Sequence, residues 1–145
     1  MSLKRFNIRV YGLLINENNQ ILVSDECRNG FSFTKFPGGG LEFGEGFSEC
    51  LRREFKEEIN VDVEVNELFF YNDYFQESIF NPNDQIISFY YKVKCDNWEG
   101  IIADNHVHPI TVEGEKNRWV NVDELLEDDF ALPIDKLVVS KLRRP

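Results

Sequence analysis

Glu54, Glu57 and Glu58 fall at i, i+3 and i+4 within the stretch Phe47–Ile59. On a helix that spacing makes them neighbours on one side. Glu54 and Glu58 would lie about 40° apart around the axis, at about 100° per residue. Three carboxylates so placed repel one another and need positive charge nearby. Arg53 can reach Glu57 one turn on and Glu45 across the preceding loop, and its guanidinium can fix a carboxylate rotamer. One guanidinium, however, cannot neutralise all three. A hard divalent cation can, because Mg²⁺ typically joins a few carboxylates to substrate phosphates. The spacing therefore points to Mg²⁺, with Mn²⁺ as the alternative ion, held by Glu54, Glu57 and Glu58.

The elements that must position these groups can be read from periodicity. Phe47, Leu51, Phe55 and Ile59, with Cys50 beside them, give a helix with one buried face. Before it, Phe36-Pro37-Gly38-Gly39-Gly40 reads as a glycine loop whose backbone can approach a ligand closely. Strands are expected at 6–15, 20–24 and 33–36, the first two joined by a polar turn. After the helix a long strand over 61–75 and another over 85–95 form a hairpin around the turn Asn81-Pro82-Asn83-Asp84. An irregular polar segment over 97–116 leads to a strand at 117–120 and a short helix near 122–126. Pro133 suits the first turn of a terminal helix reaching about Leu142. No repeat, linker or low-complexity tract divides residues 1–145, so a single domain is expected.

The fixed offsets carry a resemblance. Gly39, Glu45, Arg53, Glu54, Glu57, Glu58 and Val61 match G-x5-E-x7-R-E-U-x-E-E-x-G-U at one register, where U is a bulky aliphatic residue. This resembles the Nudix box, the signature of hydrolases that cleave nucleoside diphosphates linked to another group. With residue frequencies of roughly one in fifteen, six such positions align by chance in about one window in ten million. A Glu-Glu pair alone would read as a solvated helix face; the register to Gly39, Glu45 and Arg53 turns the reading to metal. The resemblance implies a Nudix-type α/β/α sandwich with a mixed β-sheet. It further implies that a loop carbonyl, here of Gly38 or Gly39, completes the metal shell. It gives Arg53 the task of orienting the glutamates and Glu45 a bridging, structural one. A further acidic group is expected from the segment before the Arg118-Trp119-Val120 strand, with Glu115 favoured over Glu113 and Asp104 behind them. Two positions depart from the pattern: Asn60 replaces glycine, at a helix end where a left-handed residue is expected, and Phe55 replaces an aliphatic residue.

The implied activity is Mg²⁺-dependent hydrolysis of a phosphoanhydride in a nucleoside triphosphate or another nucleoside diphosphate derivative. Glu57 and Glu58 are the principal expected ligands, Glu54 a ligand or base, and Glu115 or Glu113 the alternative base. The proline that ADP-ribose-type members carry past the box is absent, with Glu77 in its place, and the NADH-type Ser-Gln-Pro-Trp motif is missing. The other class to weigh is a catalytically silent nucleotide-sensing or protein-binding module, against which the full set of acidic residues argues.

Composition fits this picture. The net charge of −10 disfavours nucleic acid polymers and anionic membranes. Arg28, after the second strand, and Lys35, before the glycine loop, are candidate phosphate contacts. One of Phe69, Phe70, Tyr71, Tyr74 and Phe75 is a candidate base-stacking group. His106-x-His108 lacks the further ligands a transition metal requires. Cys27, Cys50 and Cys95 show no CxxC spacing and read as free thiols in a reducing compartment. With neither a signal-peptide pattern nor an 18-residue apolar run, a cytoplasmic location is expected. Partners are a small nucleotide substrate and, for assembly, either a monomer or a homodimer.

Overall fold

The computed structural model describes residues 3–101, 103, 104 and 106–144. Strand β1 (Arg5–Leu14) runs at the centre of a four-stranded mixed sheet of order β4-β1-β6-β5. It pairs in parallel with β6 (Asp84–Lys94) and antiparallel with β4 (Gly38–Gly40), while β5 (Glu64–Tyr71) closes the far edge antiparallel to β6. A second, antiparallel sheet has the order β3-β2-β7, from β3 (Phe31–Lys35), β2 (Gln20–Arg28) and β7 (Gly114–Asn121). Helix α1 (Phe47–Ile59) packs Cys50, Leu51 and Phe55 against Val10, Leu14, Leu22 and Val93. Helix α2 (Pro133–Arg143) packs Ile134, Val138 and Val139 against Leu13, Val23, Phe36 and Phe130. These two clusters are the outer interfaces of the expected α/β/α sandwich.

Several boundaries differ from the periodicity reading, each for a local reason. The glycine loop is strand β4, paired through Val10–Gly39 and Tyr11–Gly38 to β1. Asn29 and Gly30 both have positive φ, 52° and 78°, the two-residue turn that suits the twist of a hairpin. That turn extends β2 to Arg28 and starts β3 at Phe31. The long strand expected over 61–75 is confined to 64–71. Asn72 ends it: its amide donates to the carbonyls of Tyr74 and Ile86, both at 3.0 Å, and accepts from Ser88 N–H at 2.8 Å. The expected short helix survives as a single 3₁₀ turn, Val122–Glu124.

The departure at Phe55 has a partner on β1. Phe55 is fully buried, and a Cβ placed on Gly12 would sit 2.4 Å from its Cε1. The Phe55 ring therefore occupies the space left bare at Gly12 of β1, and this contact sets how deeply the helix sinks into the sheet.

Candidate active site

Helix α1 is held at both ends. At its start Glu49 Oε1 accepts from Gly46 N–H at 2.9 Å, satisfying one of the free amides of the first turn. At its end Asn60 adopts φ 60°, ψ 41°, the left-handed conformation expected there, and donates its N–H to Lys56 O.

Arg53 is the hub of the helix's acidic side. Its Nε and Nη2 donate to the two Glu45 oxygens at 2.9 and 2.6 Å. Nη1 reaches Glu54 Oε1 at 2.8 Å and Glu57 Oε2 at 3.3 Å, and Nη2 also reaches the Gly40 carbonyl at 3.1 Å. One guanidinium thus ties the loop, β4 and one face of α1 together. The paired arginine holds the Glu45 carboxyl down at about 2. Glu45 therefore carries negative charge throughout the useful pH range and serves as Arg53's anchor.

The three glutamates divide. Glu57 is exposed and turned toward Arg53. Glu54 is tucked under β4: a Cβ on Gly39 would lie 2.5 Å from both its Cδ and Oε1. Only glycine lets the strand backbone lie this close. Glu58 is exposed as a residue, yet burial and then the adjoining Glu54 carboxyl push its carboxyl up to about 8. The three carboxylates are not gathered into one ready-made cage: among the described residues, no group of three acidic, histidine or cysteine side chains stands close enough to hold an ion. Like-charge repulsion and the pull of Arg53 on Glu57 account for the spread.

Across from Glu58 stands a second polar group. Lys35 Nζ lies 3.0 Å from Glu26 Oε1 and 3.5 Å from Glu115 Oε1. Ser24 Oγ donates to the same Glu115 oxygen at 2.6 Å. Glu115 sits on β7 rather than in a loop, opposite Glu26 in the ladder. Of the other acidic candidates, Glu113 accepts from Gly30 N–H and Asp104 from Asn117 N–H; both are engaged by backbone.

A cavity of about 270 Å³ opens beside these groups, with Arg9, Tyr11, Phe33, Lys35, Phe80 and Tyr90 among its walls. Arg28 lines it too, pairing with Glu26 at 2.8 Å and lying 4.6 Å from the Phe80 ring centroid. The cavity runs close to the carboxylates: a Cβ on Gly40 would lie 3.3 Å from Arg9 Nη1, and its neighbour Gly39 is the residue packed on Glu54. Neither Phe69, Phe70, Tyr71, Tyr74 nor Phe75 lines it. The aromatic walls come instead from Phe33, Phe80, Tyr11 and Tyr90. Arg9 was missed by the sequence reading; its only signal is a cation alternating with Ile8 and Val10 along a strand. Tyr90 donates to the fully buried Asp135 at 2.5 Å, and burial pushes that carboxyl up to about 7.

The histidines form no metal pair. His106 Nε2 lies 2.7 Å from Asp25 Oδ2, a carboxylate also bound by Arg118 and Thr34. Burial opposes the charge of Asp25, but the hydrogen bonds from Arg118, His106 and Thr34 outweigh it and leave its pKa lowered. This cluster pins the chain before β7 to the sheet.

Comparison with known proteins gives a consistent picture. A family model described as the NUDIX domain matches residues 5–140. The chain is 30% identical over 144 residues to the 8-oxo-dGTP diphosphatase of Escherichia coli (strain K12), covering 98% of this chain and 99% of that one. A shorter match, 40% over 57 residues, links it to the mRNA-decapping protein OPG122 of Variola virus, over 37% of this chain and 23% of that one. Among solved structures, the MutT protein from Methanosarcina mazei Go1 superposes with a TM-score of 0.68 at 19% identity, covering 96% and 94% of the two chains. The Escherichia coli ORF135 protein superposes at 0.66, also at 19% identity, over 97% and 89%.

Proposed function

This chain belongs to the Nudix family and is a hydrolase of phosphorus-containing anhydrides in nucleotides; we propose that its substrate is a nucleoside triphosphate, cleaved with Mg²⁺ to a nucleoside monophosphate and pyrophosphate. The observation that carries this reading is the gathering of three parts: an aromatic-walled cavity, two cations in its lining, Arg9 and Lys35, and the acidic side of α1 that Gly39 and Gly40 bring next to Arg9. The aromatic lining, Phe33 and Phe80 among it, offers a planar base apolar surface to rest against. Arg9 and Lys35 then face the phosphates, and Arg28 stands at the rim.

The residues fit a divalent cation. The donor set of Glu57, Glu58 and the Gly39 carbonyl, with Glu54 beside it, is all oxygen, as Mg²⁺ requires, and the bare Gly39 backbone pressed on Glu54 leaves room for no side chain between them. When bound, the ion neutralises phosphate charge and makes a water easier to deprotonate. The chain's own groups do the rest. Arg53 fixes the rotamers of Glu54 and Glu45. Glu54, held by Arg53, takes the proton of the attacking water as general base. Glu115 is the alternative base, less favoured because Ser24 and Lys35 already hold it. Three buried free cysteines, Cys27, Cys50 and Cys95, suit a reducing cytoplasm, and no helix among the described residues is long and apolar enough to cross a membrane.

A substrate panel tests the assignment. It includes the common nucleoside triphosphates, 8-oxo-dGTP (named by the relatives at 30% identity), nucleoside diphosphate sugars and ADP-ribose, with products identified by mass. Pyrophosphate release from a triphosphate, abolished in Glu58→Gln, supports it. Turnover confined to the diphosphate sugars or ADP-ribose, or no turnover at all, overturns it.

A further inference from the structure

Lys35 stands at the point where cavity and carboxylates meet, and its surroundings are unusual for a strand lysine. Only 11% of its side chain is exposed. Burying an ammonium costs several kcal/mol unless it is paired, and lysine is among the residues least often buried. Pairing with Glu26 alone would not explain the position, because Arg28 Nε already sits 2.8 Å from the other oxygen of that carboxylate. The excess positive charge is directed elsewhere, toward Glu115 at 3.5 Å and toward Glu58. Glu115, for its part, accepts from Ser24 and faces Lys35 through the same oxygen.

We propose that the Lys35 ammonium is a resident cation of the reaction centre: it takes up one charge-neutralising position facing the substrate phosphates, and Glu115 holds it there instead of ligating metal. This rests on the phosphohydrolase reading above. The phosphoanhydride P–O bond breaks with water added at phosphorus, and the departing pyrophosphate oxygen gathers negative charge. A fixed ammonium lining the same cavity stabilises that charge without a further metal ion and without exchanging a proton. Such a preplaced charge in a water-poor site typically contributes about a hundredfold to a thousandfold in rate.

The first test counts Mn²⁺ bound to the nucleotide-free protein by electron paramagnetic resonance, so it is read independently of any turnover. Lys35→Met should bind one Mn²⁺ more than the parent, because Glu58 and Glu115 then lack the ammonium between them and Glu26, while Glu26 keeps only Arg28. Glu115→Gln should bind the same number as the parent. In the assay, Lys35→Met should lose at least about a hundredfold in kcat, with a smaller change in KM. Its Mg²⁺ activation curve should shift to higher concentration and steepen. Lys35→Arg should recover most of the loss. A purely structural ion pair would lower the melting temperature without moving the Mg²⁺ dependence. Equal Mn²⁺ counts in parent and Lys35→Met overturn the proposal, as does loss of a Mn²⁺ in Glu115→Gln, which would make Glu115 a ligand. Should Lys35→Met not fold, Glu115→Gln decides alone by that count. If no nucleotide is hydrolysed by the parent, the functional reading fails while the Mn²⁺ comparison still stands.

Discussion

Gly12→Ala should destabilise the protein through a single ring, and Phe55→Leu should relieve it. A methyl at Gly12 meets Phe55 Cε1 at 2.4 Å and Cζ at 2.7 Å, with Val93 Cγ1 at 3.4 Å behind. Ordinary carbon contacts start near 3.5 Å, so the ring must retreat by about 1 Å from a fully packed position. Overpacking of that kind costs about 1–3 kcal/mol, and with Val93 closing one escape the upper half, about 2–3 kcal/mol, is expected. At about 2–4 °C per kcal/mol this lowers Tm by roughly 4–12 °C. Leucine lacks the two ring atoms that collide, so Phe55→Leu alone leaves a partial void costing about 1–2 kcal/mol. In its presence Gly12→Ala should cost under about 0.5 kcal/mol, giving a coupling of about 2 kcal/mol in a double-mutant cycle. Urea unfolding of the four proteins measures it. Additivity within about 0.5 kcal/mol would refute the claim that this contact seats α1.

Glu58→Gln should leave the circular dichroism spectrum unchanged and lower turnover at least about a hundredfold; full activity would remove Glu58 from the site. Asn60→Gly should be neutral or mildly stabilising, whereas Asn60→Val should lose about 1 kcal/mol or more because a β-branched side chain resists φ 60°; equal melting temperatures would contradict the helix-end reading. Added Mg²⁺ should raise Tm by an amount that grows with concentration, and Glu57→Gln/Glu58→Gln should abolish the gain. The pH dependence has a definite sign. The folded Glu58 carboxyl titrates at about 8 against an ordinary 4.5, so between those values the folded metal-free protein binds more protons than the unfolded one. Its stability therefore falls as pH rises through that window, while the Mg²⁺-dependent gain increases. A flat Mg²⁺ gain from pH 5 to 8 would contradict it.

Much of the site was legible because local spacing determines it. The helix bounds, the Arg53–Glu45 and Arg53–Glu57 contacts and the left-handed Asn60 all depend on offsets of eight residues or fewer. The cavity was not legible, because its walls are assembled from β1, β3, β6 and the 76–81 segment, whose adjacency is set by pairing across the chain. Arg9 and Phe80 look like ordinary strand and loop residues until that pairing is known. The run Phe69 to Phe75 misled for the opposite reason. It is dense in aromatics, but Phe70 turns to Tyr90 in the core and Lys141 covers Phe69. The hairpin at Asn29-Gly30 carries a local signal, an Asn-Gly dipeptide suited to two positive φ values, whereas the charged run Asp25 to Arg28 before it does not read as strand.

The parallel pairing of β1 with β6 governs the order in which this molecule can come into being. Arg5 lies opposite Asp84, 79 residues later. Closing a loop of that length costs about 4 kcal/mol in chain entropy from its length alone. The β1–β4 pairs and the β2–β3 hairpin involve only earlier residues, but the longest-range pairing of the sheet waits for β6, which places the chain among the slower-folding topologies. During synthesis the acidic helix leaves the ribosome well ahead of β6, the strand its own sheet requires. The nascent box is then a solvated amphipathic segment with its aromatic face uncovered. When residues 84–94 arrive, β1 gains its second neighbour and takes its central place, so the carboxylates of α1 reach their final setting late, together with the closing of the sheet.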